Sequence, residues 1–184
     1  MTDKQRIYSE LLVLRCRQGN KQAFEELVHC WQDKLLYYIR RLVDNEQDAW
    51  QLLQQVWVVV LRNIGGIRQP EKFPAWLYSI ARNLVLNHLR SKYSQKSFLE
   101  EYKGMGNNES ENCAAVFDNA EQVHYGLGKV SLPQREVLTL FFFQDLSLDE
   151  IAQVLQLPVG TVKSRLHYAK QALRNVLKEE TKNG

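Results

Sequence analysis

Ser147 to Leu173, SLDEIAQVLQLPVGTVKSRLHYAKQAL, is the stretch whose reading decides the fold. Ser147 with Glu150 three residues on forms a capping box, which starts a short helix carrying Ile151, Ala152 and Leu155 on one face. Gln156-Leu157-Pro158 is too short to do more than turn the chain, and Pro158 suits the first turn of a second helix. On that helix Val162, Leu166, Ala169, Leu173 and Val176 recur at spacings of three and four and form one inward stripe. The opposite face holds Gly160, Ser164, His167 and Gln171, flanked by Thr161, Lys163, Tyr168, Lys170 and Arg174. No Asp or Glu stands between Pro158 and Val176, whereas ordinary solvated helices mix signs. Small residues let backbone approach a groove, hydroxyls and cations meet phosphate, and longer polar groups reach base edges. The layout is that of a DNA-reading helix-turn-helix; the plainer alternative is a helical hairpin with a solvated basic face.

Charge distribution says more than net charge. The 184 residues carry 24 Lys and Arg against 21 Asp and Glu, and a net +3 does not by itself imply nucleic acid. Residues 1–95 hold 14 basic and 9 acidic side chains, residues 96–120 hold 2 and 5, and residues 121–184 hold 8 and 7. An acidic segment thus separates two outer segments. Cys16, Cys30 and Cys113 are odd in number and lack CxxC spacing, so neither a disulfide framework nor a zinc site is expected. His29 and Cys30 are adjacent and point apart on a helix, which argues against a metal pair. There is no apolar signal core and no apolar run of membrane-spanning length, and a reduced, cytoplasmic location follows.

Residues 5 to 18 read as a first helix with Ile7, Leu11, Leu12 and Leu14 as core and Gly19 as its C-cap. Asn20 caps a second, whose Phe24, Leu27, Val28, Trp31, Leu35, Tyr38, Ile39 and Leu42 keep helical spacing. Asn45 starts a third, running to about Ile64. It has too much apolar surface for one face: Ala49, Leu52, Val56, Val60 and Ile64 make one stripe, and Trp50, Leu53, Trp57 and Leu61 another, with Gln51, Gln54 and Gln55 interleaved. Such a helix is either central in its domain or docks a partner.

After a Gly65-Gly66 loop bearing Arg68, a fourth helix from about Glu71 to Tyr93 buries Phe73, Leu77, Ile80, Ala81, Leu84 and His88. It presents Ser79, Arg82, Asn83, Asn87 and Arg90 outward, with no acid after Glu71, so it too is suited to phosphates. Residues 94 to 120 are rich in Gly, Asn, Ser and Glu and read as a flexible linker, with helical character around Phe98, Leu99 and Tyr102. A helix around Val123 to Val130 and another from Pro133 to Phe143 then support the helix-turn-helix. The expected fold is all-α: two small helical domains, 1–95 and 121–184, joined by a linker over 96–120.

FPAWLYSIARNLVLNHLRSK (Phe73 to Lys92) and LPQREVLTLFFFQDLSLDEIAQVLQLPVGTVKSRLHYAKQAL (Leu132 to Leu173) together closely resemble the two hallmark segments of bacterial extracytoplasmic-function sigma factors. The resemblance covers nearly the whole chain, in the order helical domain, linker, helix-turn-helix domain. It implies a promoter-specificity subunit of RNA polymerase, with no cofactor, metal, small-molecule substrate or catalytic residue of its own and no direct membrane insertion. The third helix would bind a coiled coil on the largest-but-one polymerase subunit through Trp50, Gln51, Gln54, Gln55 and Trp57. Asn63, Arg68, Lys72, Arg82, Asn83, Asn87 and Arg90 would recognise and open the minus-ten element and capture an unpaired base. Thr161, Lys163, Ser164, Arg165, His167, Tyr168 and Lys170 would read the minus-thirty-five element.

Family members are often held inactive by an anti-sigma factor covering these surfaces. One departure is clear: the family usually carries acids along the third helix, in a pattern like DAEDLVQE, where this sequence reads Asp48-Ala49-Trp50-Gln51-Leu52-Leu53-Gln54-Gln55. A neutral hydrogen bond contributes about 0.5–1.5 kcal/mol net against about 1.5–3 to a charged group, so polymerase binding is expected to be weaker or to lean on the tryptophans. The alternatives are a sigma-like interaction protein that docks polymerase without opening promoters, and a duplex-binding regulator that never enters polymerase.

Overall fold

Helix caps written in the sequence set the first half of the chain. A computed structural model describes residues 3–92 and 119–183. Helix α1 (Asp3–Arg17) ends at Gly19, whose φ of +81° is the left-handed turn that favours glycine. The Asn20 side chain then accepts from the Ala23 amide at 3.0 Å and starts α2 (Lys21–Leu42). Asn45 repeats the device, accepting from the Gln47 amide at 2.7 Å to start α3 (Glu46–Asn63). Two 3-10 turns, Ile64–Gly66 and Pro70–Lys72, lead into α4 (Phe73–Lys92).

The core of this N-terminal lobe forms round Trp31, which meets Phe73 and Tyr78 edge-on at 5.7 and 6.3 Å. Its indole N–H donates to Ser9 Oγ at 2.9 Å. That bond decides which face of α1 turns inward. Ser9, Leu12, Val13 and Cys16 are buried, while Ile7, Leu11 and Leu14, expected in the core, are 65%, 41% and 42% exposed. The two stripes have the same helical spacing, and the one holding an acceptor for a buried indole is the one that packs.

In the C-terminal lobe α5 (Asn119–Lys129) precedes α6 (Leu132–Leu138), which opens with a Ser131–Gln134 capping box and runs on into a π-helical turn over Thr139–Phe143. The expected capping box at Ser147 and Glu150 starts α7 (Leu148–Leu155). Gln156 takes the left-handed conformation, φ 55°, and turns the chain into α8 (Val159–Asn183). Val162, Leu166 and Ala169 are buried as the stripe predicts, beside Leu138, Leu140, Ile151 and Leu155.

Gly126 is where α5 meets α8: a Cβ there would lie 2.7 Å from Leu173 Cδ1 and 3.2 Å from Leu177 Cδ2. A leucine tip can turn aside for one methyl group but not for a branched side chain. Gly126→Val is therefore expected to cost about 1–3 kcal/mol by overpacking. Gly128→Val, with nothing within 4 Å of its Cβ position, is the control, and thermal denaturation of the two variants side by side checks the difference.

The two lobes pack against each other, α4 along α7 and α2 along α6. At their centre the Glu136 carboxylate, 2% exposed, accepts through Oε1 from Tyr38 Oη and from Arg82 Nε, both at 3.0 Å. Tyr78 donates to Gln144 Oε1 at 2.5 Å, Tyr37 stacks on Phe143 at 5.2 Å and bonds His124 at 2.9 Å, and Arg6 reaches Glu150 at 2.6 Å. Burial pushes the Glu136 carboxyl above the usual carboxylate range, although Arg82, Tyr38 and Arg165 pull it down. Most of the expected linker, with Phe98, Leu99, Tyr102 and Cys113, lies outside the described residues.

Candidate nucleic-acid interface

At the junction of α3, the loop and α4 the chain leaves a cleft of about 440 Å³. Its floor is apolar, from Val59, Ile67, Trp76 and Ile80, and Asn63, Arg68, Gln69 and Lys72 stand round it. Pro70 starts the turn that brings Lys72 to the cleft, and Gly66 leaves room beside it. Asn63 donates to the Val59 carbonyl at 2.7 Å, which ties its amide to the helix end at the rim of the cleft. An aromatic wall, an amide and two cations suit a flat, polar-edged ring attached to a phosphate.

Asn63, Arg68 and Lys72, chosen from sequence, are thus brought together, whereas Trp76 and Val59 were missed. Both stand inside apolar helical stripes, where nothing local separates a cleft wall from core. Asn83, Asn87 and Arg90 follow at helical spacing and are exposed on the outward side of α4. Arg82 is a correction. It is 9% exposed and turned into the other lobe against Glu136, because α4 has a second packed face carrying Tyr78, Val85 and Leu89. Farther along, Asp48 of α3 accepts from His88 Nε2 at 3.2 Å and Lys92 Nζ at 3.4 Å, which pins the end of α4.

On α8, Thr161, Lys163, Ser164, His167, Tyr168 and Lys170 are all exposed and form one outward face. The Ser164 hydroxyl shares itself between the Gly160 and Thr161 carbonyls at 3.1 Å, and Gln171 bonds His167 at 3.1 Å, so both side chains are held against their helix. Arg165, on the same helix, is half-buried, and its charge reaches the Glu136 carboxyl and lowers its pKa.

A third surface lies on α3. Trp50 is 46% exposed beneath the Arg40 guanidinium, 5.9 Å from its ring, and Gln51, Gln54 and Gln55 are exposed beside it. Val58 and Leu61, 47% and 59% exposed, extend the apolar strip. Trp57 departs from its expected place: it is half-buried, edge-on to Phe24 at 6.1 Å, with its Nε1 buried and unbonded. Among the described residues no group of His, Cys, Asp and Glu is arranged to hold a metal, and no helix is long and apolar enough to cross a membrane.

The architecture defines an all-α, two-lobed protein with a helix-turn-helix in its second lobe. Residues 27–95 match the family Sigma-70 region 2, and residues 120–173 match Sigma-70, region 4. The chain is 34% identical over 177 residues to the RNA polymerase sigma-H factor of Pseudomonas aeruginosa, covering 90% of this chain and 92% of that protein. It is 27% identical to the ECF RNA polymerase sigma factor SigW of Bacillus subtilis, covering 91% and 95%, and 29% identical to the ECF RNA polymerase sigma-E factor of Escherichia coli K12, covering 93% and 95%.

Its fold is similar to CnrH solved with the cytosolic domain of CnrY, with a TM-score of 0.68 at 24% identity over 94% of this chain and 98% of that one. It is also similar to RpoE solved with the anti-sigma factor NepR from Bartonella quintana, with a TM-score of 0.66 at 21% identity over 84% and 96%. The chain belongs to the extracytoplasmic-function sigma factors, the promoter-specificity subunits that join core RNA polymerase to promoter DNA.

Proposed function

We propose that the two lobes divide the promoter between them, with residues 1–95 serving core polymerase and the minus-ten element and residues 121–184 serving the minus-thirty-five element. The observation that carries this is the 440 Å³ cleft in one lobe and the acid-free outward face of α8 in the other. An unpaired base enters the cleft, its ring against Trp76 and its polar edge toward Asn63, Arg68 and Lys72. Asn83, Asn87 and Arg90 follow the strand along α4, while Lys163, Lys170, Thr161, Ser164, His167 and Tyr168 meet the upstream duplex. Trp50, Gln51, Gln54 and Gln55, extended by Val58 and Leu61, form the polymerase face. RNA synthesis belongs to the polymerase, so this chain is not itself an enzyme, and it works in the cytoplasm.

The packed arrangement is the resting one. Elements about 25 base pairs apart are separated by about 80 Å of duplex. A compact 184-residue chain has a radius of gyration of about 16 Å and cannot span that distance with its lobes in contact. Binding polymerase therefore separates α4 from α7. The solved relatives in complex with an anti-sigma factor or a cytosolic partner domain support a protein partner that holds the closed or covered form.

Run-off transcription with purified core enzyme on a library of promoter fragments is the test: a start site that depends on this protein is expected, and no dependent product overturns the reading. The missing acids on α3 favour a second reading, a protein that docks polymerase without opening DNA. Permanganate reactivity of thymines in a promoter bubble rejects it.

Lys163→Ala is expected to weaken duplex binding to all sequences alike and to reduce the slope of log K against log salt by about 0.9, the signature of one phosphate contact. A salt titration of the full chain on upstream duplex reads this, and an unchanged slope removes Lys163 from the interface.

A further inference from the structure

Where α2 ends and α5 meets α6, the two lobes enclose a second cleft of about 250 Å³. Arg40, Arg41 and Asp44 line it from the N-terminal lobe, and His124, Lys129 and Arg135 from the C-terminal lobe. Four permanent cations therefore face one carboxylate. Arg40 is engaged by Glu46 and lies over Trp50.

Arg135 spends its guanidinium on carbonyls alone: Leu127 at 2.7 Å, Gly128 at 2.8 Å, Arg41 at 3.2 Å and Val130 at 3.3 Å. Its charge thus stays uncompensated by a bonded acid. Arg41 lies against the Tyr37 ring at 5.1 Å, and its Nε is buried with no hydrogen-bond partner. Lys129 is exposed, over the Tyr125 ring at 5.2 Å. Burial and then Arg41 make His124 harder to protonate, and burial does the same to Arg135, where Asp44 opposes the shift and Arg41 adds to it.

We propose that this cleft binds a phosphate-type oxyanion, gripped by Arg41 from one lobe and Lys129 from the other in the field of Arg135. Its volume is below the usual 300–1,000 Å³ of sites for drug-sized ligands, which fits a phosphate or pyrophosphate group rather than a whole large ligand. A guanidinium fork and a mobile ammonium are the side chains that recognise such dianions. The anion is either free or the phosphate end of a nucleotide.

Because the two gripping residues belong to different lobes, the site exists only while the lobes are packed. By linkage the anion favours the closed form and opposes the separation that polymerase requires. The binding claim rests on the lobe packing and not on the promoter assignment, so its failure leaves that reading intact.

Calorimetric titration of the full chain with inorganic pyrophosphate, at ionic strength held fixed with sodium chloride, tests it. Single-site binding is expected, weakened about ten-fold or more by Arg41→Gln and by Lys129→Gln, each of which removes a charge-assisted bond. Lys129 is exposed, so that variant keeps the fold even where Arg41→Gln disturbs it. ATP in place of pyrophosphate identifies the source: equal affinity marks the free anion and tighter binding a nucleotide, each with the same residue dependence. No binding at millimolar pyrophosphate, or binding that survives both substitutions, overturns the proposal.

Discussion

Replacing Glu136 with alanine is expected to weaken the packing of the two lobes by about 3–5 kcal/mol, the range for removing one partner of a buried ion pair. The size follows from what is left behind. Arg82, 9% exposed, loses its ion pair with Glu136, and a guanidinium cannot shed its charge as a carboxyl can. The Tyr38 hydroxyl loses the same acceptor. Glu136→Gln keeps a side-chain oxygen for both donors and is expected to cost less.

Hydrogen exchange reports the loss as faster exchange on α4, α6 and α7, and small-angle scattering reports it as a larger radius. An alanine variant as compact and as protected as the wild type would mean that the pair does not hold the lobes. The carboxyl also gives the packing a pH dependence. Its pKa is raised in the packed state, so that state binds more protons than the open one, and packing strengthens as pH falls from neutrality toward the unperturbed value of 4.5. Burial and Arg41 lower the His124 pKa, which acts the other way: its contribution is complete above 6.5 and declines as pH falls below it. The Glu136 part is therefore read as the difference in slope between wild type and Glu136→Gln.

Much of this architecture could be read locally. Asn20, Asn45 and Ser147 each cap a helix in the structure, Gly19 has the positive φ of a helix stop, and Val162, Leu166 and Ala169 are buried together. These features depend on residues within a few positions of one another. The misreadings depend on distant partners. Arg82 sits on an acid-free face, and nothing near it in the chain announces that the packed form brings it to Glu136, 54 positions away. Ile7, Leu11 and Leu14 lost the core to a stripe containing Ser9, whose worth comes from an indole 22 positions away. Likewise Trp57 has the same pattern as Trp50, and only the approach of Phe24 turns it inward. The cleft at Trp76 was missed for the converse reason: concavity is a property of how α3, the loop and α4 meet, and no periodicity records it.

That cleft carries the last large expected effect. In the complex with core polymerase, Trp76→Ala should weaken binding to a fork-junction promoter with an unpaired minus-ten strand by about 5- to 150-fold, equivalent to the 1–3 kcal/mol of a base stacked on an aromatic ring. Binding to fully paired upstream duplex should hardly change, because the face proposed for that contact is on α8 in the other lobe. Trp76 also touches Phe73, at 6.1 Å between ring centres, so a general loosening of the lobe has to be separated from a lost stack. Asn63→Ala separates them. Asn63 is exposed at the end of α3 and its bond to the Val59 carbonyl is local, so the substitution leaves the core alone while removing the amide from the cleft rim. If the cleft takes the base, both variants lose fork-junction affinity and both keep duplex affinity; equal losses on the two DNAs, or an Asn63 variant indistinguishable from wild type on the fork, would mean that the base goes elsewhere.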